Sequence, residues 1–151
     1  MGTIAKKLLG ELSMTEQRFG GIERLYGKQG LARLQAAHVA VVGIGGVGSW
    51  VAEALARSGV GELSLFDLDD VCVTNINRQM PALENTVGQL KVEVVAERIQ
   101  QINPACIVHA VPDFVTRETM AEYITEELDF VVDAIDSVAA KAALIAWCKR
   151  R

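Results

Sequence analysis

The spacing of apolar residues changes from one segment to the next, and the changes mark out alternating helices and strands. Ile4, Leu8, Leu9 and Leu12 recur at helical spacing and predict a weak amphipathic arm. The pattern Ser-Met-Thr-Glu at 13–16 is a capping box, so a helix is predicted from there towards Tyr26 and Gly27, followed by a short helix over 28–35. After His38, the residues Val39, Ala40, Val41 and Val42 are apolar without alternation, as expected of a strand covered on both faces. A helix over 47–57 follows, stopped at Ser58-Gly59 where glycine supplies a left-handed cap. A second strand is predicted over 62–67, then an irregular polar stretch over 69–85 broken by Pro81. A long helix over 88–101 closes at Asn103-Pro104, and a third strand occupies 106–110. A short helix over 116–124, a fourth strand over 130–133 and a helix over 137–151 complete the series.

Strands alternating with helices of this length predict an α/β fold: a Rossmann-like parallel sheet with right-handed crossovers and helices on both faces. The expected strand order is 3-2-1-4. The segments divide into an amino-terminal helical arm, 1–34, and a nucleotide-binding domain, 35–151. Four strands are about half of a doubly wound sheet, and the last predicted helix is still running at Arg151. The expectation is therefore an amino-terminal portion of a longer protein, with at most weak nucleotide affinity and no turnover by itself.

Composition narrows the class. Of 151 residues, half are hydrophobic and 23% are charged, which excludes a disordered chain. The longest nearly apolar stretch, 39–47, is too short and too glycine-rich to cross a bilayer, and no signal peptide is visible. Cys72, Cys106 and Cys148 form no CxxC or other ligand-like spacing and read as reduced, mostly buried thiols in a soluble, cytoplasmic protein. Residues 1–34 carry six Lys/Arg against three Glu, a balance of +3 that leaves −7 on the remainder of a chain whose net charge is −4. A basic flank of this kind suits a polyanion, but a solvated helix face is the preferred reading. His38 and His109, each within a strand, read as structural; Trp50 and Trp147, on helix faces, read as core; no zinc-ligand set is visible.

The chemistry begins at Gly43, Gly45, Gly46 and Gly48, which satisfy GxGxxG between a predicted strand and a predicted helix. Glycines there permit the tight turn and let a phosphate approach the backbone, while the amides of the helix start favour negative charge. Asp67, 24 residues after Gly43 and ending the next strand, is placed to meet ribose hydroxyls. A dinucleotide site needs little more than these residues. The chain adds Asn75, Arg78 and Gln79, then Lys91 early in the next helix, and a guanidinium with an ammonium suits a triphosphate better than a pyrophosphate diester. Taken singly, each cation is also consistent with a surface charge, and for Lys91 alone the two readings weigh equally. Asp136 ends the fourth strand, where it is placed either to hold Mg²⁺ or to cap the last helix, roles that do not exclude each other.

The motifs GIGGVGS at 43–49, DLD at 67–69, NINRQ at 75–79, VGQLK at 87–91 and DAID at 133–136 together resemble the ThiF/MoeB/HesA family, the prokaryotic relatives of ubiquitin-activating enzymes. The resemblance runs from about Arg18 to the last residue and implies ATP-dependent adenylation of a carboxylate. It implies that Gly43, Gly45, Gly46 and Gly48 shape a phosphate loop and that Asp67 binds ribose. It further implies that Asn75, Arg78 and Lys91 hold the phosphates, and that Asp136 positions Mg²⁺ and the reacting phosphate. The wording RFGGIERLYG at 18–27, DDVCVTN at 69–75 and DAIDS at 133–137 is similar to the branch of the family whose acceptor is a threonylcarbamoyl group on an adenosine of tRNA. Alternatives are adenylation of a sulfur-carrier protein's C-terminus, an NAD-binding oxidoreductase, and a silent nucleotide-binding module. The family further implies a homodimer, with sulfur-transfer proteins as possible partners. Relatives carry an Arg that reaches the partner subunit's ATP where this chain has Gly21; Arg18 and Arg24 are the candidates to replace it.

Overall fold

A run of apolar residues that does not alternate must be buried on both faces, and the structure meets that demand with a central parallel sheet. The computed structural model describes residues 14–150; the arm at Ile4–Leu12 and Ser13 of the capping box lie outside the described residues. In chain order the elements are α1 (Met14–Ala36), β1 (His38–Val42), α2 (Gly48–Arg57) and β2 (Glu62–Phe66). A 3-10 turn (Val73–Asn75) precedes α3 (Lys91–Ile102), β3 (Ile107–Val111), α4 (Met120–Tyr123), β4 (Phe130–Asp133) and α5 (Val138–Cys148). All three strand pairings are parallel and the order is β3-β2-β1-β4, as predicted.

Each face of the sheet has its own core. Val39, Val41, Leu63 and Leu65 pack with Ala52 and Ala56 of α2 and with Val92, Val95 and Ile99 of α3. The alternate residues Ala40, Val42 and Phe66 pack with Val115, Met120, Ile124 and Leu144 on the other side. The covering helices thus lie on both faces, the expected outcome for strands without a polar side. Phe19 and Leu31 of α1 are buried against Gly59, so the amino-terminal helix seats on the turn after α2. That helix breaks at Gly27 (φ 76°), where two separate helices were predicted.

Two helices differ from their predicted bounds, and the last differs in its cap and in its end, at Cys148 rather than 151. The long helix starts at Lys91 rather than 88 because Gly88 is left-handed (φ 87°) and Leu90 is extended. There, residues 88–90 run alongside 69–71, through Val71 N–H to Gln89 O (2.8 Å) and Gly88 N–H to Val71 O (2.9 Å). The helix predicted over 116–124 shrinks to one turn because Thr116 and Thr119 engage in local side-chain hydrogen bonds that compete with helix. The last helix is capped by Ser137, whose Oγ accepts from Ala140 N, so Asp136 is not its N-cap.

Two features fix the frame around the glycine turn. Gly43 has φ 91°, and a Cβ there would lie 2.7 Å from Ala134 O. A Cβ at Gly48 would lie 1.7 Å from Gly43 O, so the start of α2 sits directly on the end of β1. Behind this turn, α2 is bound to α3 by Glu53, whose carboxylate accepts from Arg98 Nη2 (3.0 Å) and Nε and pairs with Arg57 (2.8 Å). The Arg98 hydrogen bond, opposed by burial and aided by Arg57, holds the Glu53 carboxyl below its usual 4.5.

Two stability predictions follow from these contacts. Gly48→Ala is expected to lose about 3 kcal/mol or more in denaturant unfolding, since the clash is with backbone and has no rotamer to relieve it; wild-type stability would contradict the turn geometry. For Glu53→Gln the expected cost is about 1.5–3 kcal/mol at neutral pH. The folded carboxyl titrates below the unfolded one, so this stabilisation is present above 4.5 and disappears as pH falls through the lowered value. Unfolding curves of the two proteins should therefore converge in acid, and a gap that stays constant with pH would refute the ion-pair reading.

Candidate functional site: a cleft at the carboxyl edge of the sheet

Parallel strands end at one edge, and there the loops after β1, β2 and β4 enclose a cleft of about 920 Å³. Gly43, Gly45, Gly46, Asp67, Asn75, Arg78, Lys91 and Asp136, drawn from segments nearly a hundred residues apart, all line it. Gly48 lies beneath, closing the turn. Gln79 and Asp69, together with Phe114 and Val115 at an apolar part of the wall, also contribute.

The glycines divide by what they avoid. Gly43 and Gly48 are required by backbone contacts, as described above. At Gly45 and Gly46 an added Cβ would meet nothing closer than 3.8 and 3.6 Å, to the side chains of Gln79 and Arg78. The folded chain thus tolerates a side chain there, and the missing one leaves the cleft floor bare. Beside this floor α2 starts at Gly48, its N-cap Val47 makes no side-chain capping bond, and its first turn carries no acidic residue. The Ser49 amide donates to Gly45 O (3.2 Å), and the helix start still presents the positive end of its dipole to an anion.

Asp67 is not a solvated strand end: it is buried, 6% exposed. Its Oδ2 accepts from Ile44 N (2.6 Å) and its Oδ1 from Asp69 N (2.8 Å), so one carboxylate ties the glycine turn to the chain leaving β2. Each oxygen keeps a further lone pair for a ligand hydroxyl. Lys91 is likewise buried, with 5% exposure, and its Nζ lies 2.9 Å from Asp69 Oδ2. That pair uses one of three ammonium N–H donors.

Asn75 holds the loop in shape: its Oδ1 accepts from Cys72 N (3.0 Å), and its carbonyl accepts from Gln79 N (2.9 Å) and Arg78 N (3.1 Å). Arg78 lies over Gly46 with Nη1 donating to Thr74 O (3.2 Å) and Asn77 Oδ1 (3.0 Å). Gln79 is a buried residue to which the sequence assigns no separate role, and its Oε1 is an acceptor without a partner. Burying such an atom is unfavourable until a donor reaches it. Asp136 is exposed at the cleft, beside Asp133, whose carboxylate is taken by Lys141 (2.8 Å) and Ile135 N (3.1 Å). Neither Arg18 nor Arg24 lines this cleft; the Arg24 guanidinium folds back near Gly20 and Gly21.

The remaining sequence candidates fall into place around the site. Trp147 is half-buried against the second core and donates to Ile124 O (3.1 Å). Trp50 is 55% exposed and donates to Arg78 O (3.1 Å), so it is not a core residue but a brace for the Arg78 loop. Cys106 is buried, and burial first, then the Glu62 charge, pushes its thiol up to about 11, which keeps it protonated and unreactive. Cys72 and Cys148 are exposed free cysteines rather than buried ones. No helix among the described residues is long and apolar enough to cross a membrane.

The chain is 61% identical over 135 residues to a tRNA threonylcarbamoyladenosine dehydratase of Haemophilus influenzae, covering 89% of this chain and 52% of that one. A molybdopterin-synthase adenylyltransferase of Escherichia coli is 37% identical over 119 residues, covering 79% and 47%. Among solved structures, the Escherichia coli tRNA N6-threonylcarbamoyladenosine dehydratase, TcdA, crystallised with ATP, superimposes with a TM-score of 0.88 at 60% identity, covering 89% of this chain and 56% of that one. The chain spans about half the length of the curated relatives it matches. The ThiF family model matches residues 21–151, which include every residue of the cleft, and the chain belongs to the ThiF family.

Proposed function

We propose that the cleft binds ATP and that the protein uses it to adenylate a carboxylate, the acceptor being the threonylcarbamoyl group on an adenosine of tRNA. The observation that carries the reading is the collection of Arg78, Lys91 and the uncapped start of α2 around a bare glycine floor. This is more positive charge than a dinucleotide's pyrophosphate needs. The choice of acceptor rests on the 60–61% identity to dehydratases acting on tRNA, against 37% to the molybdopterin-synthase adenylyltransferase. Adenylation of a carrier protein's C-terminus is therefore the second reading, and sulfur-transfer proteins are partners only under that one.

In the proposed reaction a carboxylate oxygen attacks the α-phosphorus, the bond to the β-phosphate oxygen breaks, and pyrophosphate leaves with its electron pair. The resulting acyl adenylate is open to attack from within the substrate, and ring closure expels AMP, so the substrate loses water overall. The protein's contribution is positioning and charge stabilisation. Gly45 and Gly46 admit the phosphates to the backbone, and Asp67 receives the ribose hydroxyls. Arg78 and Lys91 offset charge as it shifts onto the leaving pyrophosphate, and Asn75 keeps the Arg78 loop in register. Asp136 fits a Mg²⁺ ligand, since it is an exposed carboxylate at the cleft, and Mg²⁺ binds through one or two carboxylates plus substrate phosphates and water. When bound, the ion supplies further neutralisation of the phosphate oxygens. The same reading makes 1–34 a helical arm beside a nucleotide-binding domain, 35–151. A cytoplasmic homodimer is the state the family resemblance supports.

Calorimetry should find ATP·Mg²⁺ binding more tightly than NAD; the reverse order would remove the reading. Arg78→Ala and Lys91→Ala should each weaken ATP binding or lower kcat/KM of the full-length protein ten- to a hundredfold, from about 1.5–3 kcal/mol per charge-assisted contact. Gly45→Ala should keep the melting temperature and still weaken ATP. Unchanged affinity in all three variants would place the nucleotide elsewhere. The acceptor is decided by nucleoside mass spectrometry: ATP-dependent loss of water from threonylcarbamoyladenosine in tRNA is expected, and its absence alongside adenylation of a carrier protein would favour the second reading.

A further inference from the structure

The amino ends of the same parallel strands lie at the opposite edge of the sheet, away from the nucleotide cleft, and there the register gathers a second set of chemical groups. His38 of β1 is level with Glu62 of β2, and Ser64 of β2 is level with His109 of β3. Their alternation places all four side chains on one face, the one that carries Ala40, Phe66 and Val111 further along. His109 Nε2 is 2.7 Å from Glu62 Oε1, and His38 Nδ1 is 3.7 Å from the same oxygen. His38 Nε2 lies 2.8 Å from Ser64 Oγ. One donor atom from each of His38, Glu62 and His109 falls within 4.8 Å of the other two. The three side chains are 17%, 33% and 47% exposed, so an ion reaches them from solvent without any opening of the fold.

We propose that His38, Glu62 and His109 bind a divalent d-block cation of the zinc class, tying the edge strand β3 to the central strand β1 across β2. Two imidazole nitrogens and one carboxylate oxygen are a borderline donor set of the kind zinc takes, whereas Mg²⁺ and Ca²⁺ favour oxygen throughout. The three Cα positions are held by the hydrogen-bonded ladders of adjacent strands, so only side-chain torsions adjust. Ser64 supplies the outer contact that a ligating histidine normally has: with its hydroxyl accepting from Nε2–H, the lone pair of His38 is on Nδ1, facing Glu62. A fourth position remains for water. The site is structural in its effect, and it stands independently of what the nucleotide cleft binds.

The test uses chelator-treated protein with Cys72 and Cys148 changed to Ser, because exposed thiols are themselves zinc ligands. Calorimetric titration with zinc chloride should show one saturable equivalent and a raised melting temperature. His109→Ala and Glu62→Gln should each weaken it tenfold or more, and Ser64→Ala about tenfold, while magnesium chloride produces no binding that depends on His109. His109 is half exposed, so its variant should melt as the parent does in chelator. Absence of saturable zinc binding, or zinc binding indifferent to both His109→Ala and Glu62→Gln, would overturn the proposal and leave two histidines sharing a carboxylate.

Discussion

The cleft depends on one buried carboxylate. Asp67 accepts the amide of Ile44 from the glycine turn and the amide of Asp69 from the chain leaving β2. A charged group with 6% exposure is tolerated only when its oxygens are satisfied, and here the satisfying donors are the two backbones that must be aligned. Asp69 is then in position to take Lys91, and the strand-like run of 69–71 beside 88–90 sets where α3 begins. The cleft-lining groups that follow β1 and β2 and that open α3 therefore share a single hydrogen-bonded origin. A neutral residue in place of Asp67 would disturb the glycine turn as well as any ribose contact.

The bare floor at Gly45 and Gly46 and the closed joint at Gly43 and Gly48 show two uses of one residue type. The first pair is spared a side chain although the fold has room for one; the second pair has none because backbone oxygens stand 2.7 and 1.7 Å from where a Cβ would be. Gln79 and Lys91 both line this space, and Lys91 has ammonium donors beyond the one held by Asp69, so the cleft carries unspent polar capacity as well as room. Preorganisation of this kind lets binding energy go into charge stabilisation rather than ordering the loop.

Much of this was legible in the sequence because it is local. The unalternating run 39–42, the glycine spacing and the acid at the end of β2 report strand, turn and site through short-range sterics, and the strand order followed from the α/β alternation. What escaped depends on contacts across the sheet. Nothing in linear spacing shows that His38, Glu62 and His109 meet, because only the parallel register makes 38, 62 and 109 neighbours. Trp50 read as core because it sits on a helix, yet it faces outward to hold the Arg78 carbonyl. The late start of α3 was hidden because Gly88 and Leu90 take their conformations from pairing with 69–71. Asp136 lost its capping role to its neighbour Ser137, a choice between two good caps that only the backbone angles decide.

A crystal structure of the protein with a non-hydrolysable ATP analogue tests the central claim most directly. The triphosphate should lie over Gly45 and Gly46 at the start of α2, with Arg78 and Lys91 donating to phosphate oxygens and the ribose on Asp67. A nucleotide bound elsewhere, or one seated in the cleft with neither cation touching its phosphates, would contradict it.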